Sequence, residues 1–226
     1  MVREELQRTA KLLGENAVER LAGAKIAVFG LGGVGGHAAE ALVRTGVGAL
    51  DIIDGDTVAL SNLNRQLVAL HSTVGQLKTD VCEKRFLDIN PELSLRKFPL
   101  FFGEETAEKF DFTEYDYVLD CIDDVSAKVL LAETCARKNV RIISSMGAGN
   151  KLNPMGFKVA DIYETSVCPL ARVMRQRLRK AGVERLRVVY STEEPVITER
   201  TPASCAYVPS AAGLLMAATV IDELTR

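Results

Sequence analysis

A glycine-rich turn between a short apolar run and a helical segment sets the frame for this chain. Residues 25–30 (KIAVFG) are β-rich and lead straight into Gly30-Leu31-Gly32-Gly33-Val34-Gly35, which matches G-x-G-x-x-G with an added glycine at Gly33. Residues 34–45 then read as a helix, with Gly46 as its stop signal. A plain strand-to-helix turn has no use for so many glycines, because each loses much conformational freedom on folding. Here they let the backbone approach phosphate oxygens, while the helix start offers free N–H groups and the positive end of a dipole. The turn therefore predicts a nucleotide or dinucleotide site at a strand–helix junction.

The rest of the chain keeps the same rhythm. Strands are expected over 49–54 (ALDIID), 93–98, 115–122 (YDYVLDCI) and 140–145 (VRIISS). Helices are expected over 73–89, stopped before Pro91, and over 125–138. Apolar strands alternating with helices predict an α/β, Rossmann-like, mostly parallel sheet with helices on both faces. After Gly147 the rhythm changes to an edge strand over 157–162, a basic helix over 170–180 and a short strand over 186–190. An irregular stretch over 193–209 follows, holding Pro195, Pro202 and Pro209, and then an amphipathic closing helix over 210–224. The first 21 residues read as a helical arm broken in two at Gly14. The expectation is one nucleotide-binding domain over 1–226, with an N-terminal arm (1–21) and a small C-terminal elaboration (151–226).

Composition excludes several classes. A net charge of -2 makes no global case for nucleic acid, so such a partner must be read from a local patch. The five cysteines, Cys82, Cys121, Cys135, Cys168 and Cys205, form no C-x-x-C pair. That argues against a disulfide framework and against zinc, and for a reducing, cytoplasmic setting. The segment MVREELQRTAKLLGE mixes both charge signs and has no apolar core, unlike a signal or transit peptide. The longest uncharged apolar stretch, 211–221, falls short of the about 20 residues that a bilayer requires, so no membrane association is expected.

Polar residues next to the expected strand ends carry the chemistry. Asp54 ends the second strand, close to the roughly 20-residue spacing at which a carboxylate meets a ribose hydroxyl. Asp56, Asn64, Arg65, Gln66 and Lys78 follow, and later Asp120, Asp123, Asp124 and Lys128. On a parallel sheet the C-terminal strand ends face the ligand crevice. Arg65 and Lys78 suit phosphates, Asp120 and Asp123 suit Mg²⁺, and Asn64 and Gln66 offer neutral hydrogen bonds. Each also has a plainer reading. Arg65 and Lys78 are candidate surface charges, Asp120, Asp123 or Asp124 a candidate helix cap, and Lys128 is evenly balanced. A nicotinamide-dependent oxidoreductase stays open on the glycine turn alone, although His37 and His71, the two histidines, lie outside any evident proton relay.

The phrases GLGGVGG, DGDTV, SNLNRQ, VGQLK and DCIDD, in this order over about residues 8–150, resemble the ubiquitin-activating-enzyme-like adenylyltransferases. The resemblance implies that Gly32, Gly33, Gly35, Asp54, Asp56, Asn64, Arg65, Gln66 and Lys78 contact ATP, and that Asp120 binds Mg²⁺. It also implies that Arg8 reaches into the other subunit's site of a homodimer. The phrases at 8–14, 169–175, 189–195 and 207–213 are similar to the branch of that family that acts on threonylcarbamoyl-modified adenosine in tRNA. Members of that branch adenylate the threonyl carboxylate and cyclise the product with loss of AMP. Such a member would meet tRNA through the basic stretch 172–187, where Arg172, Arg175, Arg177, Arg179, Lys180, Arg185 and Arg187 face one acid, Glu184. The resemblance also admits a monovalent cation (Na⁺ or K⁺) and a sulfur-relay protein partner. Cys168 stands where resembling sequences often carry an acid, and neither it nor Cys205 is assigned a role. A zinc-free activator of a sulfur-carrier or ubiquitin-like protein, and a non-catalytic RNA-binding module, remain as alternatives.

Overall fold

Apolar alternation along short segments builds the sheet. A computed structural model describes residues 2–197 and 202–226. Its strands are β1 (Lys25–Phe29), β2 (Ala49–Ile53), β3 (Ser94–Phe98), β4 (Tyr117–Asp120), β5 (Ile142–Ser145), β6 (Phe157–Asp161) and β7 (Arg187–Ser191). They form one seven-stranded sheet in the order β3-β2-β1-β4-β5-β7-β6. All neighbours pair in parallel except β6, the edge strand, which runs antiparallel to β7. Residues 198–201 of the expected irregular stretch lie outside the described residues.

Helices cover both faces of the sheet: α1 (Gln7–Leu13), α2 (Glu15–Gly23), α3 (Gly35–Thr45), α4 (Lys78–Ile89), α5 (Val125–Lys138), α6 (Pro169–Lys180) and α7 (Tyr207–Thr225). Side chains alternate across a strand. Ile26 and Val28 of β1 accordingly meet Leu42 of α3, Phe86 of α4 and Met216 of α7 on one face. Ala27 and Phe29 meet Leu131 of α5 and the rings of Phe102, Phe110 and Phe112 on the other. Met174 and Leu178 of α6 extend that second core under β7. Gly14, at φ +93°, divides the N-terminal arm as expected.

Two boundaries differ from expectation by three residues or more. Helix α4 begins at Lys78, not at residue 73. Gly75 adopts φ +86° and Leu77 bridges Thr57 in antiparallel fashion, so the preceding residues are spent on a backbone clasp, and the Lys78 amide then donates to Asp56 O at 3.0 Å. Helix α7 begins at Tyr207 and takes Pro209 into its first turn, where a missing N–H costs nothing. It is also not amphipathic. Val208, Met216 and Val220 are buried, yet Tyr207 and Leu214 on the outer face are about half exposed. Its 19 residues, more than the uncharged stretch 211–221, are long and apolar enough to cross a bilayer by length and composition alone, a test that buried core helices also pass. In the fold it packs against α2 and α3.

The chain leaves β1 for β2 and β3 on one side and returns to the other side of β1 as β4. The C-terminal ends of β1, β2 and β4 therefore flank a topological switch point, the place where open α/β sheets bind ligands. Close packing of α7 on α3 supports that corner. A Cβ on Gly213 would stand 2.3 Å from Val34 O. Helical Gly→Ala changes ordinarily gain up to about 1 kcal/mol; Gly213→Ala is expected instead to lose about 1–3 kcal/mol to overpacking. A urea midpoint at or above wild type would refute that reading of the α3–α7 contact.

Candidate active site

The glycine turn is built from backbone-to-backbone contact. Gly30 sits at φ +91°, and a Cβ there would lie 2.6 Å from Cys121 O. A Cβ on Gly35 would lie 1.8 Å from Gly30 O, so nothing larger than hydrogen fits as the chain enters α3. Gly33 faces Pro209 of α7 and the stem of Arg65, each just beyond 3 Å from where a Cβ would be. The turn opens onto a cleft of about 1200 Å³ at the C-terminal edge of the sheet.

Asp54, just past β2, fastens the turn. Its carboxylate accepts from Leu31 N at 2.7 Å and from Asp56 N at 2.8 Å. Burial pushes its pKa up, against the pull of Lys78 and of the two amides. Lys78 is 5% exposed, with its ammonium 2.8 Å from Asp56 and 3.8 Å from Asp54. Its place at the first residue of α4 follows from the Gly75–Leu77 clasp.

The 3-10 turn at Leu60–Asn62 presents the next group. Arg65 donates to Ser61 O at 2.9 Å and to Asn64 Oδ1 at 3.0 Å while lining the cleft. Asn64 does not line it; its amide instead donates to Ser204 O at 2.8 Å, tying the segment before α7 to this corner. Gln66 is 8% exposed and lines the cleft, yet its Oε1 has no hydrogen-bond partner among the described residues. A buried polar atom without a partner is costly. It marks an acceptor that a ligand donor would satisfy.

Asp120, expected as the Mg²⁺ ligand, is not at the cleft surface. It is fully buried at the end of β4, and both of its oxygens are engaged. Oδ1 accepts from Ile122 N at 3.2 Å, and Oδ2 accepts from Ser144 Oγ at 2.5 Å and pairs with Lys128 Nζ at 3.0 Å. Lys128, equally buried, also donates to Ile122 O at 3.1 Å. The pair clamps the loop after β4 from beneath. The carboxylate this loop presents to the cleft is Asp123, which is exposed, while Asp124 caps α5 by accepting from Ala127 N at 2.8 Å.

The other expected groups are dispersed. Arg8 is exposed on α1, away from the cleft lining, and forms no ion pair among the described residues. The basic stretch divides. Arg172, Arg177, Arg179, Lys180, Arg185 and Arg187 are exposed, Arg187 while pairing with Glu223 at 3.1 Å, whereas Arg175 is part-buried and donates to Thr165 O at 3.0 Å. The start of α6, at Cys168, Pro169 and Leu170, lines the cleft, so the helix leads from its wall to the basic face. All five cysteines are free thiols; burial pushes Cys121 up to about 12 and Cys82 and Cys135 higher still. Lys151, which no sequence motif singled out, also lines the cleft at 3% exposure.

The ThiF family profile matches residues 5–226. The chain belongs to the ThiF family. Among curated ThiF-family relatives, the tRNA threonylcarbamoyladenosine dehydratase of Bacillus subtilis (strain 168) is 39% identical over 98% of this chain and 95% of that protein. That of Escherichia coli (strain K12) is 37% identical over 93% of this chain and 82% of that protein. The solved structure of E. coli tRNA N6-threonylcarbamoyladenosine dehydratase, TcdA, in complex with ATP matches with a TM-score of 0.93 at 34% identity, covering 98% and 94% of the two chains. E. coli MccB with ATP, at 21% identity and a TM-score of 0.70, shares the fold.

Within this ThiF-family site the Lys128–Asp120 pair is the structural element most open to test. Removing one partner of a buried pair strands the other charge. Lys128→Met is expected to cost about 3–5 kcal/mol of stability, measured by urea unfolding. An unchanged midpoint would show that the loop after β4 does not rest on this pair.

Proposed function

We propose that the chain is an ATP-dependent tRNA threonylcarbamoyladenosine dehydratase that adenylates the threonyl carboxylate of the modified nucleoside and cyclises it with loss of AMP. The observation that carries this is the convergence of Lys78, Arg65 and Asp123 on the glycine turn, in a chain similar to such dehydratases over nearly its whole length. A dinucleotide's pyrophosphate needs no such combination of two cations and an exposed carboxylate.

ATP would lie with its phosphates against Gly32, Gly33 and the start of α3, where free amides face the anion. Asp54 holds Leu31 N and Asp56 N, which fixes the turn before nucleotide arrives. Lys78 and Arg65 would neutralise charge that builds on the phosphates as the bond breaks. Gln66 would accept a hydrogen bond from the nucleotide, Asn64 would hold Arg65 in place, and Gly35 would seat α3.

The substrate carboxylate oxygen attacks the α-phosphorus of ATP. An O–P bond forms, and the bond to the β-phosphate oxygen breaks, with pyrophosphate leaving. The resulting acyl-adenylate carbonyl is electrophilic, and the carbamoyl group of the same substrate closes onto it and expels AMP. Both reacting groups sit on one nucleoside, so positioning supplies much of the rate. No protein nucleophile is required.

The donor set fits Mg²⁺. The described residues hold no cluster of three or more His, Cys, Asp or Glu side chains suited to a metal. Mg²⁺ commonly takes one or two carboxylates and completes its shell with phosphate oxygens and water. Asp123 would hold the ion, which neutralises phosphate charge when bound. Arg8, exposed on the N-terminal arm, would complete the partner's site in a homodimer. The exposed arginines of α6, within the 151–226 elaboration, would meet the phosphate backbone of a cytoplasmic tRNA.

Incubation of modified tRNA with protein and ATP, followed by nucleoside analysis, is expected to yield the cyclised product, AMP and pyrophosphate. Asp123→Ala is expected to lower kcat by about 10²–10³-fold without moving Tm. Full activity in that variant would remove Asp123 from the phosphate site, and absence of the cyclised nucleoside with wild type would overturn the assignment.

A further inference from the structure

A buried charge on the β5 side of the cleft has no part in the nucleotide site described so far. Lys151 lies beyond β5, on a loop that other segments hold tightly. Asn150 exchanges hydrogen bonds with Ala203, through Asn150 N to Ala203 O and Ala203 N to Asn150 Oδ1, each at 2.7 Å, and accepts from Val196 N at 2.9 Å. Glu193 closes the loop from the far side. Its carboxylate accepts from Leu152 N at 3.1 Å and Asn153 N at 2.9 Å, and its carbonyl oxygen accepts from the Lys151 ammonium.

Among the described residues, that arrangement leaves the Lys151 charge uncompensated. An ammonium carries three donors, and a single acceptor, Glu193 O, is within hydrogen-bond reach among the described residues. No carboxylate of the described residues comes within ion-pair distance, because Glu193 turns its own to the backbone of 152–153 and Glu194 is exposed. Burial pushes the Lys151 pKa down, with the Cys168 thiol and the two glutamates opposing. Burying a charge without a counter-charge is among the costliest arrangements a protein keeps. Where such a group lines a cleft, a ligand is the natural source of the missing charge.

Position says which ligand. Lys78 and Arg65 serve the corner at β1 and β2, whereas β5 stands three strands from β2, roughly 14 Å across the sheet. The cleft wall around Lys151 includes Met146, Gly147, Cys168 and Leu170, with no second cation among the described residues there. We propose that Lys151 binds the carboxylate of the acyl substrate, holding it toward the α-phosphate before attack. This rests on the dehydratase reading above and adds to it the group that recognises the reacting end of the substrate. Once the carboxylate becomes an acyl-adenylate it carries no charge of its own, so the grip of Lys151 loosens as the carbamoyl group closes.

The test compares full-length wild type, Lys151→Met and Lys151→Arg on one tRNA prepared with and without the threonylcarbamoyl group. Binding of each tRNA, protection against melting by ATP with magnesium, and kcat/KM for cyclisation are measured together. Wild type is expected to prefer the modified tRNA. Lys151→Met is expected to lose that preference, with kcat/KM falling roughly 30-fold or more, while affinity for unmodified tRNA and protection by ATP stay at wild-type values. Lys151→Arg should recover part of both. A Lys151→Met protein that keeps the preference beside an active wild type overturns the assignment of Lys151 alone. Loss of ATP protection in parallel with turnover overturns it too, by showing a general structural role. Failure of wild type to form cyclised nucleoside overturns the activity and this assignment together.

Discussion

The molecule depends on one close approach between two stretches of backbone. Where β1 meets α3, Gly35 passes so near to Gly30 O that a Cβ would stand 1.8 Å from it. This lets α3 start directly over the strand end and turns its free amides toward the cleft. Two further contacts depend on that placement. Asp54 reaches across from β2 to Leu31 N, and Pro209 of α7 rests against Gly33. A side chain at Gly35 would part the strand from the helix and undo both, so loop geometry here is a property of three elements and not of the loop alone.

Around this turn the protein treats its charges in two ways. Beneath the sheet edge, Lys128 and Asp120 neutralise each other completely, satisfied by Ser144 and by the backbone of Ile122. Their work is to hold Asp123 up to the cleft. At the cleft itself charges are left open: Lys78 is shared between two carboxylates, and among the described residues Gln66 Oε1 has no partner and Lys151 no counter-charge. Closed networks rigidify, and incomplete ones recognise. Preorganised but unsatisfied groups cost stability in the empty protein and return it when a complementary ligand binds.

Much of this was legible in the sequence. The parallel α/β sheet followed from apolar runs alternating with helices, the turn from its glycines, and the edge strand, though not its antiparallel direction, from the change of rhythm after Gly147. Arg65 and Lys78 were expected from their position after a strand end, and both line the cleft. Other features had no local signal. Residues 74–77 carry helical character, yet a tertiary bridge between Thr57 and Leu77 overrides it and moves the helix start to Lys78. The DCIDD phrase offers several carboxylates three or four positions apart; β4 ends on Asp120, which points inward to Lys128, while Asp123 lies in the loop beyond the strand and lines the cleft. Lys151 looks like any loop lysine, because its burial comes from Glu193 and Ala203, far along the chain. Proline at 209 suggested a loop, although the first turn of a helix accommodates it.

The rest of Pro209 against Gly33 has a consequence for how the site comes into being. The glycine turn is made early in synthesis, but the surface it leans on belongs to a helix made long afterwards, and Asn64 likewise waits for Ser204. A nascent chain that has already formed β1, α3 and β2 still lacks the wall that steadies its ligand corner. Competence to hold nucleotide is therefore a late event on the ribosome, and it reports that residues beyond 200 have folded back onto the first strand.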